Sequence, residues 1–355
     1  MPTPSALSRR TAMKCALAAL TSMASSSSWL KLPGDSSGSL LRWTGFAEAG
    51  MQPAASSAAP VSTSATAPRS NFHVVYDDLR ARDRFFLFLQ NVYHLYPESP
   101  FHQLIIDATH EFGTDQDIYL ALQERLGGIK PFLSEATYGL PALKKQKEEM
   151  ARQTAELLGT SRRLSGYLEI GTTGRYANGI RKLIPIDGPL YVVNDVEPSF
   201  SPNDIVERGQ LTKLGEFVHM GDYEPFDGKG VPPESVDLVT NFIGFHHAPP
   251  VKRARFVQAV WTVLKPGGRL IVRDHDVDSP EMDAFVGLAH DVFNAGLKIS
   301  WKDNAAQIRN FTSVPALEEV LGTAGFEKTK TRALQAHDPT QNTLMAFVKP
   351  AVRPL

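Results

Sequence analysis

The alternation of apolar and polar positions changes its period along the chain. Over residues 76–96 the apolar positions Leu79, Phe85, Phe86, Leu89 and Val92 recur three, four and six to seven apart, which is one face of a helix. Pro97 and Pro100 punctuate the pattern. Residues 101–112 predict a second helix with Leu104, Ile105 and Ala108 on one side. Thr114-Asp115 supplies a cap for a third, running through Ile118, Leu120, Leu122 and Leu126 to Gly127-Gly128. Residues 141–158 predict a longer, charged helix. The stretch 72–160 thus reads as a helical layer. Its aromatic group, Phe85, Phe86, Phe88, Tyr93 and Tyr96, reads as core before pocket lining, and Lys144, Lys145 and Lys147 as a solvated helix face.

From Leu164 the pattern becomes short apolar runs separated by helical stretches. Strands are predicted at 164–170, 191–193, 217–218, 236–239, 269–272 and 344–348, and a last helix at 314–324. Strands alternating with helices imply crossover units and a mostly parallel sheet, which binds ligands at the carboxyl ends of its strands, near the switch in strand order. Residues 277–312 are longer than a minimal crossover. Together with the helical layer they are expected to cover the pocket, with Phe285, Phe293, Trp301 and Phe311 as apolar lining.

Before residue 70 no period holds. Residues 52–67 are low-complexity and lack the large apolar side chains that repay chain entropy. Six basic and two acidic residues fall in the first 70, which leaves 31 basic and 36 acidic in the rest, a net of −5 against −1 for the whole chain. Such a balance argues against an electrostatically driven nucleic-acid binder. Ser8-Arg9-Arg10-Thr11-Ala12-Met13-Lys14 resembles a twin-arginine export motif, followed by a mild apolar run and by Ser22 and Ala24 at the spacing of a signal-peptidase site. The resemblance implies export to the periplasm; a cytoplasmic or organellar location is the alternative. No stretch approaches the roughly 20 apolar residues of a transmembrane helix. The single cysteine, Cys15, lies in this leader, which excludes a disulfide framework. The expected organisation is a signal over 1–24, a linker over 25–71, the helical region over 72–160 and a catalytic domain over 161–350 of the chain's 355 residues.

Candidate chemistry lies after the strands. The first runs into Glu169-Ile170-Gly171-Thr172-Thr173-Gly174-Arg175, a glycine-containing turn that lets backbone approach a ligand. The second ends at Asp195, where a carboxylate can accept from both hydroxyls of a ribose. Met220-Gly221-Asp222 precedes the fourth strand, which ends at Asn241. Phe245-His246-His247 follows, then Leu264-Lys265-Pro266-Gly267-Gly268 and a further strand.

This ordered set resembles the class I S-adenosylmethionine-dependent methyltransferases, particularly the small-molecule type. The resemblance implies a Rossmann-like α/β fold, with a seven-stranded mostly parallel sheet and helices on both faces, here preceded by the α-helical layer. It implies S-adenosylmethionine as cofactor. Glu169, Gly171 and Gly174 would belong to the loop around its methionine part, Asp195 would hold the ribose, Gly221 and Asp222 would meet the adenine, and Asn241 would face cofactor and acceptor. Thr173 and Arg175 stand where the family's second and third glycines are expected. A dehydrogenase would use the same sheet and ribose carboxylate, but no Tyr-x-x-x-Lys pair occurs in the chain.

Methyl transfer needs a base only if the acceptor must lose a proton. His275, inside Arg273-Asp274-His275-Asp276, and His246 and His247 are the candidates. No metal site is expected, because the adjacent Asp274, His275 and Asp276 rarely converge on one ion. The expected partner is a small-molecule methyl acceptor; the atom methylated and the oligomeric state stay open. The alternative function is a non-catalytic S-adenosylmethionine- or nucleotide-binding protein on the same fold.

Overall fold

The computed structural model describes residues 70–129, 140–159, 163–226, 228 and 230–351. The twin-arginine reading, Cys15 and the low-complexity stretch lie outside them. The sheet has seven strands: β1 (Tyr167–Ile170), β2 (Leu190–Asn194), β3 (Glu216–His219), β4 (Val236–Asn241), β5 (Leu264–His275), β6 (Glu327–Leu334) and β7 (Asn342–Val348). Their order is β3-β2-β1-β4-β5-β7-β6, parallel throughout except β7, which runs against β5 and β6. β1 and β4 are buried along almost their whole length, as strands covered on both faces must be. The chain order reverses between β1 and β4. There Ile170 pairs with Val193 on one side and Asn241 on the other, so three strand ends finish side by side at the position where such sheets hold ligands.

β6 has no counterpart among the strands expected from the sequence. Its residues, Glu-Lys-Thr-Lys-Thr-Arg-Ala-Leu, are mostly exposed at the sheet edge. Charged side chains there oppose pairing with another sheet, and the same charges remove the apolar run that marks a strand.

The helices are α1 (Asn71–Tyr76), α2 (Leu79–Phe88), α3 (Glu98–Glu111), α4 (Asp115–Ile129), α5 (Leu140–Leu158), α6 (Ala177–Leu183), α7 (Pro202–Arg208), α8 (Pro250–Val263), α9 (Pro280–Gly296), α10 (Trp301–Ala305) and α11 (Val314–Thr323). Ser201, Ser279, Ser300 and Ser313 cap α7, α9, α10 and α11, each accepting a backbone N–H three residues on, worth about 1 kcal/mol apiece. Among the described residues no helix is long and apolar enough to cross a membrane.

The single helix expected over 76–96 is broken. Asp78 accepts the N–H of Ala81 at 2.8 Å and starts α2 afresh, and a π-helical turn over Leu89–Tyr93 ends at His94 in the left-handed region. Leu79, expected on the buried face, opens α2 and is 63% exposed. Gly127 and Gly128 lie inside α4 and do not end it.

The helices α1 to α4 share one core with α9: Phe72, Phe85, Phe101 and Ile118 pack with Phe285 and Val292. Tyr96 donates to the carbonyl of Gly296 at 3.1 Å, and the rings of Phe85 and Phe285 stand 5.3 Å apart. The aromatic group is therefore the core of a helical cap whose fifth member comes from beyond β5. α5 packs elsewhere. Its Met150, Ala151 and Leu158 meet Ala177 and Ile180 of α6 on the sheet.

Candidate active site

The turn after β1 is fastened from within. Glu169 is buried, and its oxygens accept the Thr172 hydroxyl, the Tyr176 N–H at 3.2 Å and the Tyr167 hydroxyl at 3.1 Å. Burial raises its pKa above the ordinary carboxylate value, against these donors. Thr172 Oγ1 in turn accepts the N–H groups of Gly174 and Arg175 at 3.1 Å each. Gly171 has φ +85°, and a Cβ there would lie 2.2 Å from Ile243 Cδ1, so only glycine fits.

Arg175 does not enter the cleft. It is buried and pairs with the buried carboxylate of Glu207 on α7. Substituting Arg175→Ala strands that carboxylate, and a loss of about 3–5 kcal/mol in urea unfolding is the expected result. A change under 1 kcal/mol would show that the pair does not hold the loop.

Asp195 follows β2 and accepts the N–H of Asp222 on Oδ1 at 3.0 Å. Gly221, Asp222 and Tyr223 all have φ between 59° and 64°, a left-handed run that is costly for the two non-glycines and turns that N–H onto Asp195. Lys252 of α8 reaches Asp222 Oδ2 at 3.3 Å and Glu224 at 2.5 Å. Asn241 is fully buried, and neither atom of its amide has a hydrogen-bond partner. Thr173 Oγ1, Asn194 Oδ1 and the Tyr223 hydroxyl are likewise buried and unpaired. Buried polar atoms are nearly always bonded, and these four residues lie beyond or at the carboxyl ends of β1 to β4. That pattern is what a polar ligand at the strand ends would satisfy.

A second group lies after β4 and β5. The ring of His246 stands 4.1 Å from that of His247, 5.6 Å from His275 and 5.2 Å from His290, measured between centroids. Phe311 closes the group, 5.0 Å from His246 and 5.1 Å from His290. Asp274 organises it. Its carboxylate accepts the N–H groups of Phe245 at 2.8 Å and His275 at 2.9 Å, and Nδ1 of His246 at 2.6 Å. Gly244, at φ +87°, leaves room for this contact, because a Cβ would lie 2.4 Å from His246 Nδ1. Burial works to raise the Asp274 pKa, but His246 and His275 outweigh it and lower the value to about 2. Burial, together with the neighbouring His246, lowers the pKa of His275 to about 4 and holds His247 and His290 well below the ordinary value. These three rings are neutral at pH 7.

A family profile described as a methyltransferase domain matches residues 142–331, just over half of the chain. The chain belongs to this family. It is a methyltransferase, and S-adenosylmethionine is its cofactor. Among solved structures it is similar to the 1,6-didemethyltoxoflavin-N1-methyltransferase of Burkholderia thailandensis with bound 1,6-didemethyltoxoflavin and S-adenosylhomocysteine, at 15% identity over 59% of this chain and 79% of that one, with a TM-score of 0.40. A second is the O-methyltransferase family 2 protein of Planctomyces limnophilus in complex with apigenin, at 16% identity over 70% and 69%, TM-score 0.43. No curated relative matches the sequence.

The methyltransferase's own residues suit that cofactor. Asp195 offers a carboxylate at the end of β2, and Asn241 an unsatisfied amide at the strand-order switch. Glu169 braces the turn from behind, and Gly171 and Gly174 carry its left-handed backbone. One residue of the site has no signal in the sequence pattern: His290, which stands within α9. Phe311, expected as apolar lining, closes the histidine group, and Thr173 stands in the turn as the departure already noted.

Proposed function

We propose that this methyltransferase moves a methyl group onto a heteroatom of a small molecule enclosed between the strand ends and the helical cap. The observation that carries the reading is the enclosure of the histidine group. His246 is 5% exposed and His247, His275 and His290 are half-buried, with His290 of the cap helix α9 set across from His246. An acceptor reaching that group must be small enough to be engulfed, as small-molecule sites engulf their ligands.

When bound, S-adenosylmethionine supplies a methyl carbon on a sulfonium sulfur; the acceptor's lone pair forms the new bond while the old C–S pair stays on sulfur as a neutral thioether. The chain's residues do the rest. Asp195 and Asn241 orient the cofactor, and the cap excludes water. Asp274 is a carboxylate and can only accept, so Nδ1 of His246 is the donor and Nε2 of the neutral ring is its accepting atom. That atom takes the acceptor's proton.

Full-length protein incubated with S-adenosylmethionine and a fractionated metabolite extract is expected to release S-adenosylhomocysteine with one acceptor fraction. Tight cofactor binding by calorimetry with no fraction turned over would favour the non-catalytic binding protein. No binding at millimolar cofactor would sink both.

A further inference from the structure

The histidine group contains more imidazole than one base requires. His246 Nδ1 faces Asp274 at 2.6 Å, His247 Nδ1 faces the carbonyl of Ile308 at 3.0 Å, and His275 Nδ1 faces the carbonyl of Thr340 at 3.1 Å. Carboxylates and carbonyls only accept, so Nδ1 of each ring is the donor and Nε2 is the atom left to face the others. The Nε2 atoms of His246 and His247 are 3.1 Å apart. At that distance the two nitrogens need a positive centre between them, either a shared proton or a metal cation. Ligand nitrogens of His246, His247 and His290 all lie within 4.8 Å of one another.

We propose that His246, His247 and His290 bind one divalent transition-metal cation of the zinc class. Tetrahedral zinc with bonds of about 2.0–2.1 Å spaces its nitrogens by roughly 3.3 Å, close to the observed pair. Neutral imidazole suits zinc, cobalt, nickel and copper and disfavours magnesium and calcium. The second shell is already built: Asp274 on His246 and a backbone carbonyl on His247 are the partners that metal-bound histidines use. The nearby cation Arg309 is paired with Asp291 at 2.7 Å. Three histidines leave a fourth position open, as in catalytic zinc sites. In the enzyme the acceptor's heteroatom would take that position, its proton passing to bulk solvent as it binds, the cation doing what His246 does without it. The binding stands by itself; only this role rests on the methyl-transfer reading.

The test uses the untagged full chain, stripped with chelator and titrated with Co2+. One equivalent is expected to give the intense visible absorption of tetrahedral cobalt and to be displaced by Zn2+. Asp274→Asn is expected to weaken binding about 10–100-fold, and His247→Ala and His290→Ala by at least as much. Only the weak spectrum of hydrated Co2+ would overturn the proposal, leaving a histidine pair that shares a proton. So would a band unchanged in both histidine variants. If a variant fails to fold, the spectrum of the unaltered chain still decides. S-adenosylmethionine binding, followed in parallel, separates the two readings. Cofactor bound without metal defeats this inference alone, and metal bound without cofactor defeats only the methyl-transfer reading.

Discussion

Replacing Asp195 by Ala is expected to weaken S-adenosylmethionine binding about 100-fold or more, with little change in thermal stability. One carboxylate oxygen takes the N–H of Asp222, so the side chain is anchored before ligand arrives. The other belongs to a half-buried residue just past β2 and would accept from ribose hydroxyls. Hydrogen bonds to a charged group contribute about 1.5–3 kcal/mol each, so losing two costs about 3 kcal/mol or more, and each 1.4 kcal/mol is tenfold. Asp195→Asn keeps one acceptor and is expected to lose roughly tenfold. Isothermal calorimetry separates these outcomes. Unchanged affinity in Asp195→Ala would mean that the cofactor does not sit over the end of β2.

The same carboxylate marks how far the sequence could be read. The end of β2, the glycine turn and the Lys-Pro-Gly-Gly stretch are local features, and β1, β2, β4 and β7 announce themselves as apolar runs because both sheet faces are covered. Nothing local announces β6, whose charges serve to protect an edge, or the break at Asp77-Asp78, where capping overrides a continuing helical period. The histidine group was legible only in pieces. His246, His247 and His275 stand after strands, but Asp274 lies 28 residues from His246 in the chain. They meet because β4 and β5 are neighbours with Asn241 opposite Val272, a fact of strand order. His290 arrives by a longer route, through packing of α9 against helices α1 to α4. A lone histidine in an apolar helix face carries no mark of the neighbours it will meet.

Asp274 is the residue whose removal should affect turnover most. Asp274→Asn preserves shape but turns one acceptor oxygen into a donor. The amide oxygen is best directed at the N–H groups of Phe245 and His246, which Oδ2 now serves at 2.8 and 3.3 Å. The new NH2 then faces His246 Nδ1, which must give up its proton to accept, and the His275 N–H, which loses its acceptor. The ring is forced into the other tautomer, with hydrogen on Nε2 and no lone pair there. A comparable tautomer change in the serine-protease triad costs about 10⁴ in kcat, and a loss of about 10³–10⁴ is expected here. Cofactor affinity should stay within a few-fold, because the hydrogen bonds of Asp274 go to Phe245, His246 and His275 and not to Asp195 or Asn241. Ionised Asp274 has its pKa near 2, so it cannot itself produce any inflection in the rate between pH 5 and 8. Retained turnover in a folded, cofactor-binding Asp274→Asn protein would show that the His246 lone pair is dispensable. Methyl transfer would then proceed by orientation of an already nucleophilic acceptor.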